Sequence, residues 1–250
     1  MFNYADPWPL AAVLLALVLG GMLKGATGAG APVISVPVLA AVFDIRIAIV
    51  IMATPNLLTN IWQMWQFRGH GIGRAFTLGF AIAGAVGATL GTVILASLPL
   101  EALQLSTALV VIAYIALRLI RPDLSLLRTT ADRIVLPMGF AAGILQGAAG
   151  VSAPISVSFL NAMRLSRPAF IATISAFFVV MSVVQVPVLF AYDLMTWQLF
   201  GVGALALVPL FAGMPLGAAA AERIGPKGFD RIILVFLGLL ACRLIWTALA

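Results

Sequence analysis

The chain has 250 residues, of which 63% are hydrophobic and only 9% charged, with a net charge of +6. Its mean hydropathy is +1.17, and long apolar runs recur throughout, which excludes a soluble domain and predicts an all-α polytopic membrane protein. A single cysteine, Cys242, excludes an intrachain disulfide and a cysteine metal cluster, and excess Lys/Arg here marks cytoplasmic loops rather than a nucleic-acid partner.

The opening residues, MFNYADPWPL, lack a basic stretch and contain Asp6. They are therefore expected to be retained rather than removed as a signal peptide. Apolar segments follow at 8–23, 32–43, 47–66, 75–97 and 102–120, and then at 134–147, 153–163, 168–190, 196–220 and 229–249. This divides the chain into a repeat over 1–121, a cytoplasmic linker over 122–132 and a second repeat over 133–250, each of about five helical segments. The first two segments of each repeat look short. Twelve to sixteen residues span only about 18–24 Å of a ~30 Å hydrocarbon core. A re-entrant hairpin or a pair of broken helices, interrupted by Gly-rich sequence, is therefore expected at each repeat's start.

The repeats show themselves in the motif. GGMLKGATGAGAPVIS (20–35) is echoed by AGILQGAAGVSAPIS (142–156), with Gly21, Gly25, Gly28 and Pro32 falling on Gly143, Gly147, Gly150 and Pro154 at a constant offset of 122. Arg46-Ile-Ala matches Arg167-Pro-Ala, and GATLGT (87–92) matches GMPLGA (213–218). Loop charge then orients the halves. With the N-terminus outside and an odd number of crossings per repeat, Arg68, Arg74, Arg118, Arg121, Arg128, Arg133, Arg164, Arg167, Arg223, Lys227 and Arg231 fall inside, whereas the outside receives only Arg46 and Arg243 alongside Asp6, Asp44, Glu101 and Asp193. Odd tandem repeats are inverted relative to each other, which is the architecture of secondary transporters. Trp8, Trp62, Trp65, Trp197 and Trp246 lie near segment ends, as interfacial aromatic belts require. The two breaks are expected to enter from opposite faces and meet near the midplane.

Gly87 and Gly91 read as close-packing glycines, and Gly25, Gly28 and Gly30, followed by Pro32, read as a helix break and restart. A helix start beside a break presents unpaired N–H groups and a positive dipole end, which suits an anion. Lys24 is either long enough to snorkel to the interface or the cation that meets that anion, since intramembrane charge is costly and usually functional. Its counterpart in the second repeat is Gln146. Asn56, Asn60 and Gln63 fall on one face of the third segment, either as interhelical glue or as a polar pathway lining. Ser175, Ser182 and Gln185 form a thinner version in the second repeat, and Pro55 and Pro187 are expected to kink their helices. The anion site expected from this reading comprises Lys24, Thr27, Gly28, Gly30, Ala31, Val33, Asn56, Asn60, Gln63, Gln146, Gly150, Ser152, Ala153 and Ile155.

His70 reads as a solvated loop residue. No P-loop, H-E-x-x-H or G-x-S-x-G motif is present, and the serines have no credible base beside them. An ATP-driven pump and an enzyme are thus disfavoured, and no cofactor or metal is expected. No carboxylate falls mid-segment, which weakens protein-borne proton coupling.

The stretch GATGAGAPVISVPVLAAVFDIRIAI and its echo GAAGVSAPISVSFLNAMRLSRPAF resemble the duplicated signature of the TauE/SafE family, the sulfite exporter and organosulfonate permease proteins. The resemblance extends over essentially the whole chain. It implies a bacterial inner-membrane transporter of a small anionic substrate, such as sulfite or sulfoacetate, and leaves direction open. The matching residues are Gly25, Gly28, Gly30, Pro32, Gly147, Gly150 and Pro154, and Val151 and Ser152 depart from the first copy's Ala29 and Gly30. The leading reading is export by alternating access, with an uptake permease for an organosulfonate or carboxylate, an anion channel and a non-transporting scaffold as alternatives. The partners implied are the anion and the lipid bilayer; a homodimer is allowed.

Overall fold

The computed structural model describes residues 7–120 and 125–224. The expected last segment, 229–249, lies outside the described residues, as do Cys242, Trp246 and residues 122–124 of the linker. The chain forms α1 (Trp8–Thr27), α2 (Ala31–Val42), α3 (Ile45–Gln66), α4 (Arg74–Ser97) and α5 (Leu100–Ile120), and then α6 (Arg128–Ala149), α7 (Ala153–Ala162), α8 (Arg167–Ala191) and α9 (Trp197–Ile224). Among the described residues α1, α3, α4, α8 and α9 are long and apolar enough to cross a membrane. This is an all-helical, multi-pass membrane protein. The starts of α2 and α7, and of α3 and α8, recur at the offset of the glycine motif.

One expectation is corrected. The first segment of each half is not short: α1 has 20 residues and α6 has 22, about 30 Å or more at 1.5 Å per residue. Only α2 and α7, with 12 and 10 residues, are short. The reason lies in the glycines. Gly21 and Gly25 remain inside α1, packed against the backbone carbonyls of Leu210 and Met214 in α9. Gly143 and Gly147 remain inside α6, against the carbonyls of Gly84 and Ala88 in α4. Any Cβ at these positions would displace a neighbouring helix, so small residues here mark close packing rather than helix ends. Gly87 and Gly91 of α4 and Gly213 and Gly217 of α9 complete the two seams from the other side.

These seams cross the halves: α1 packs on α9, and α4 packs on α6. Both run parallel, because Gly139, Gly143 and Gly147 meet Phe80, Gly84 and Ala88 in ascending order, and Gly21 and Gly25 meet Leu210 and Met214 likewise. Between the seams lie α3 and α8. Asn56 of α3 meets Ser182 of α8, while Met64 and Arg68 share a groove with Ala172 and Ala176. These two helices therefore run antiparallel. Both pass Pro55 and Pro187 without interruption. The core beside them is aromatic, with the Phe80 and Phe177 rings stacked at 4.3 Å and Phe76 and Phe159 alongside.

Candidate functional site

Lys24 sits in the last turn of α1, where the negative end of the helix dipole favours a cation. It is only 1% exposed, among the largest fully buried side chains of the described residues. It does not snorkel. Nζ donates to Oδ1 of Asn60 at 2.9 Å, and the ammonium lies 6.0 Å from the centre of the Phe178 ring, at the outer limit of a cation–π contact. Among the described residues no carboxylate accompanies it. The salt bridge they do contain, Arg128–Asp132 at 2.8 Å, is a surface pair.

Asn60 passes the contact onward. A lysine can only donate, so Oδ1 faces Lys24 and Nδ2 is left to donate elsewhere. It does so to the Asn56 carbonyl at 2.7 Å and to Asn56 Oδ1 at 3.0 Å. Asn56 Nδ2 in turn reaches Ser182 Oγ at 3.5 Å. The i, i+4 spacing of two amides thus becomes a relay from α1 through α3 to α8. Gln63 lies buried one turn farther along α3 with Oε1 unpartnered, and Ser175 Oγ and Gln185 Nε2 on α8 are likewise buried without a partner. Orphaned buried polar atoms are uncommon in folded proteins; with Thr54, four lie on these two central helices, and Thr77, Thr107, Gln146 and Ser158 are further ones on α4, α5, α6 and α7.

The helix breaks flank this relay. Gly28 has φ +85°, and its N–H closes α1 on the Lys24 carbonyl at 2.7 Å. Gly150 has φ +70°, and its N–H closes α6 on the Gln146 carbonyl at 2.9 Å. Both are left-handed C-caps, the conformation glycine adopts at least cost. Pro32 and Pro154 then lie in the first turn of the next helix. Ala31 and Ala153 begin α2 and α7, and the N–H groups of Val33 and Ile155 donate to Gly30 and Ser152 carbonyls at 2.9 and 3.0 Å. The Thr27 hydroxyl donates to backbone carbonyls of Leu23 and Ala29, and Ser152 Oγ pairs with Ser156 Oγ at 3.2 Å. Gln146 folds back through Nε2 onto the Gly150 carbonyl at 3.1 Å, leaving Oε1 unpartnered.

The two breaks lie apart from each other. Gly28 packs against Ile171, near the start of α8, and Gly150 against Ile49, near the start of α3. Because α3 and α8 are antiparallel, these contacts lie at opposite ends of the pair. The structure therefore joins Lys24, Asn60 and Asn56 directly. Among the described residues no hydrogen bond links Gln146, Gly150 or Ser152 to that network.

Three participants escaped the expected site. Ser182 stands 122 residues after Asn60 and Phe178 stands 122 after Asn56, so the repeat offset could have found both. Arg167, whose Nη2 donates to the Gly25 carbonyl at 2.9 Å, was visible as a match to Arg46 and as an inner-loop cation, not as a neighbour of the first break.

The family model for the sulfite exporter TauE/SafE matches residues 13–244. The chain belongs to this family. TauE/SafE is a membrane transporter family, which agrees with a multi-pass helical bundle that buries a cation. Comparison with curated proteins and with solved structures returned no match.

Proposed function

We propose that this TauE/SafE chain is a secondary carrier that exports a small sulfur-containing anion, sulfite or an organosulfonate such as sulfoacetate, across the bacterial inner membrane. The observation that carries the reading is Lys24, buried on a neutral amide with no carboxylate beside it among the described residues. A charged side chain at membrane depth costs roughly 2.5–3.5 kcal/mol or more. A bound anion offsets that cost. Asn56, Asn60, Gln63 and Gln146 would orient its oxygens, with Thr27, Ser152 and the restart residues Ala31, Val33, Ala153 and Ile155 shaping the breaks at Gly28, Gly30 and Gly150.

Alternating access would come from two repeats inverted across the membrane. The antiparallel run of α3 and α8, which hold equivalent places in the two halves, supports that inversion, as does the exchange of α1 and α6 between halves. In this reading the linker is cytoplasmic and the N-terminus outside, an orientation that the excess of Lys/Arg in the loops assigned to the inside supports. With the cell interior negative, each negative charge moved outward gains about 2.3 kcal/mol per 100 mV, so export needs no coupling ion.

Flux into and out of proteoliposomes under an imposed potential tests this. Sulfite, thiosulfate, sulfoacetate, isethionate, taurine and simple carboxylates are the candidates. Electrogenic movement of a sulfur anion that Lys24→Ala abolishes is expected. Unchanged flux in Lys24→Ala removes that residue from the site. Movement of carboxylates alone removes the sulfur assignment, and unitary currents in a planar bilayer would make the protein a channel.

A further inference from the structure

Where α3 stops and α4 begins, the bundle is open between these helices and α8. A groove of about 560 Å³ lies there, with Arg68 on one wall, Arg74 and Thr77 on another, and Ala172 and Ala176 on the third. Gly69, Gly71 and Gly73 of the connecting loop line it with bare backbone. Its charge is one-sided. Arg68 stacks on Trp65 at 5.0 Å and donates to the Trp65 carbonyl at 3.2 Å. Both contacts are to neutral groups, so its positive charge stays uncompensated. Arg74 opens α4, whose first turn holds no acidic residue and whose start has no side-chain cap. Thr77 Oγ1 is buried in the wall without a partner among the described residues. No residue lining the groove is acidic. The carboxylate of Asp132, on α6, already pairs with Arg128, which holds the Ile72 carbonyl at 3.1 Å.

The same face of α4 continues into the apolar layer. Leu78 lines the groove, and Ile82 and Val86, one and two turns deeper, line a second cleft of about 540 Å³ between α4 and α6. Every residue lining that cleft is apolar. It opens because α4 places Gly79 opposite Leu136, where an added Cβ would come within 3.4 Å of the leucine side chain. Leu78, Ile82 and Val86 are all exposed along it. The other half has an equivalent seam without the charge. By the repeat, α9 corresponds to α4 and α1 to α6, yet the turn before α9, residues 192–196, contains Asp193 and no cation. Packing alone therefore does not call for the arginines.

We propose that groove and cleft together hold one anionic phospholipid, its phosphate between Arg68 and Arg74 and an acyl chain along Leu78, Ile82 and Val86. A cationic groove at the helix ends with an apolar cleft running inward from it repeats the order of a lipid, headgroup first and hydrocarbon beneath. Basic groups between membrane helices at the interface attract anionic headgroups. A zwitterionic lipid offers the same phosphate but brings its own cation, which two arginines repel. A free anion has no use for the cleft, which offers it no hydrogen bond. No residue of the Lys24 relay lines either cavity, so the site is distinct from the anion path proposed above.

Native mass spectrometry and thermal unfolding of the full chain in detergent test this, with phosphatidylglycerol, phosphatidylcholine and inorganic phosphate as probes. Phosphatidylglycerol should be retained about tenfold or more over phosphatidylcholine, as two basic contacts predict, and should raise Tm where inorganic phosphate does not. Arg68→Gln and Arg74→Gln should each weaken it by about fivefold, the equivalent of ~1 kcal/mol, and lysine at both positions should restore most of the loss. Gly79→Leu, which fills the cleft, should also weaken it. Equal retention of the two lipids, or a preference that survives loss of both arginines, overturns the proposal and leaves the arginines to membrane orientation alone. Stabilisation by inorganic phosphate that matches phosphatidylglycerol assigns the groove to a free anion and overturns the lipid. If the arginine variants do not fold, the unmodified protein's ranking of the three probes decides together with Gly79→Leu. Flux is not among the readings, so none of these outcomes touches the carrier reading.

Discussion

The two helix breaks share one backbone solution and hold different chemistry. In each, a left-handed glycine closes the preceding helix on the carbonyl four residues back, and a proline in the next first turn restarts it. The residue whose carbonyl is used is Lys24 in one and Gln146 in the other. Lys24 extends to a neighbouring helix, whereas Gln146 turns back onto its own cap. Gly30 is left-handed at φ +96°, but Ser152, in the same place, has φ −101°. The cap needs only the first glycine. The side chain above it is free to differ, and so one scaffold used twice can hold a single cation.

The comparison breaks most severely at Asn60. Asn60→Leu strands a buried ammonium, and a loss of roughly 3–5 kcal/mol is expected, seen as a lowered unfolding midpoint in detergent. Ser182→Ala, at the counterpart position, should cost only about 1 kcal/mol. Equal costs would mean that the two halves share the load. Next comes Lys24→Gln, which makes the halves alike. It should slow anion flux by about 100-fold, an activation difference of ~2.7 kcal/mol, while raising thermal stability in the absence of anion because an uncompensated charge is gone. A variant that loses stability and keeps flux would reverse the argument.

Gly28→Ala and Gly150→Ala should be equally harmful, each by roughly 1–3 kcal/mol, since both positions are left-handed and a Cβ would press on Ile171 or Ile49. Chemical denaturation of the two variants checks this. The smallest effect belongs to Ser152→Gly, within about 0.5 kcal/mol of the parent protein, because its backbone needs no glycine. A large change there would show that the Ser152–Ser156 pair matters more than the turn.

Helix existence was legible because apolar runs of membrane length have few other solutions, and the duplication was legible because identical caps require glycine and proline at fixed places. Reading Gly21, Gly25, Gly143 and Gly147 was harder. Glycine serves both breaks and tight seams, and which role applies depends on whether another backbone approaches. The amide row on α3 and its thinner counterpart on α8, Ser182 included, were legible from their spacing, yet the contact between them was not, since a hydrogen bond between distant segments leaves no local pattern.

By itself, then, the sequence determined an all-helical membrane protein, two related halves, one unmatched lysine and a row of amides on one helix face. Only the tertiary structure decided that α1 and α6 run to full length, that the breaks lie at opposite ends of α3 and α8, and that Lys24 turns inward. The reason is physical. Composition and periodicity record what each residue does to its own helix, whereas depth, burial and partner are set by which helices pack together.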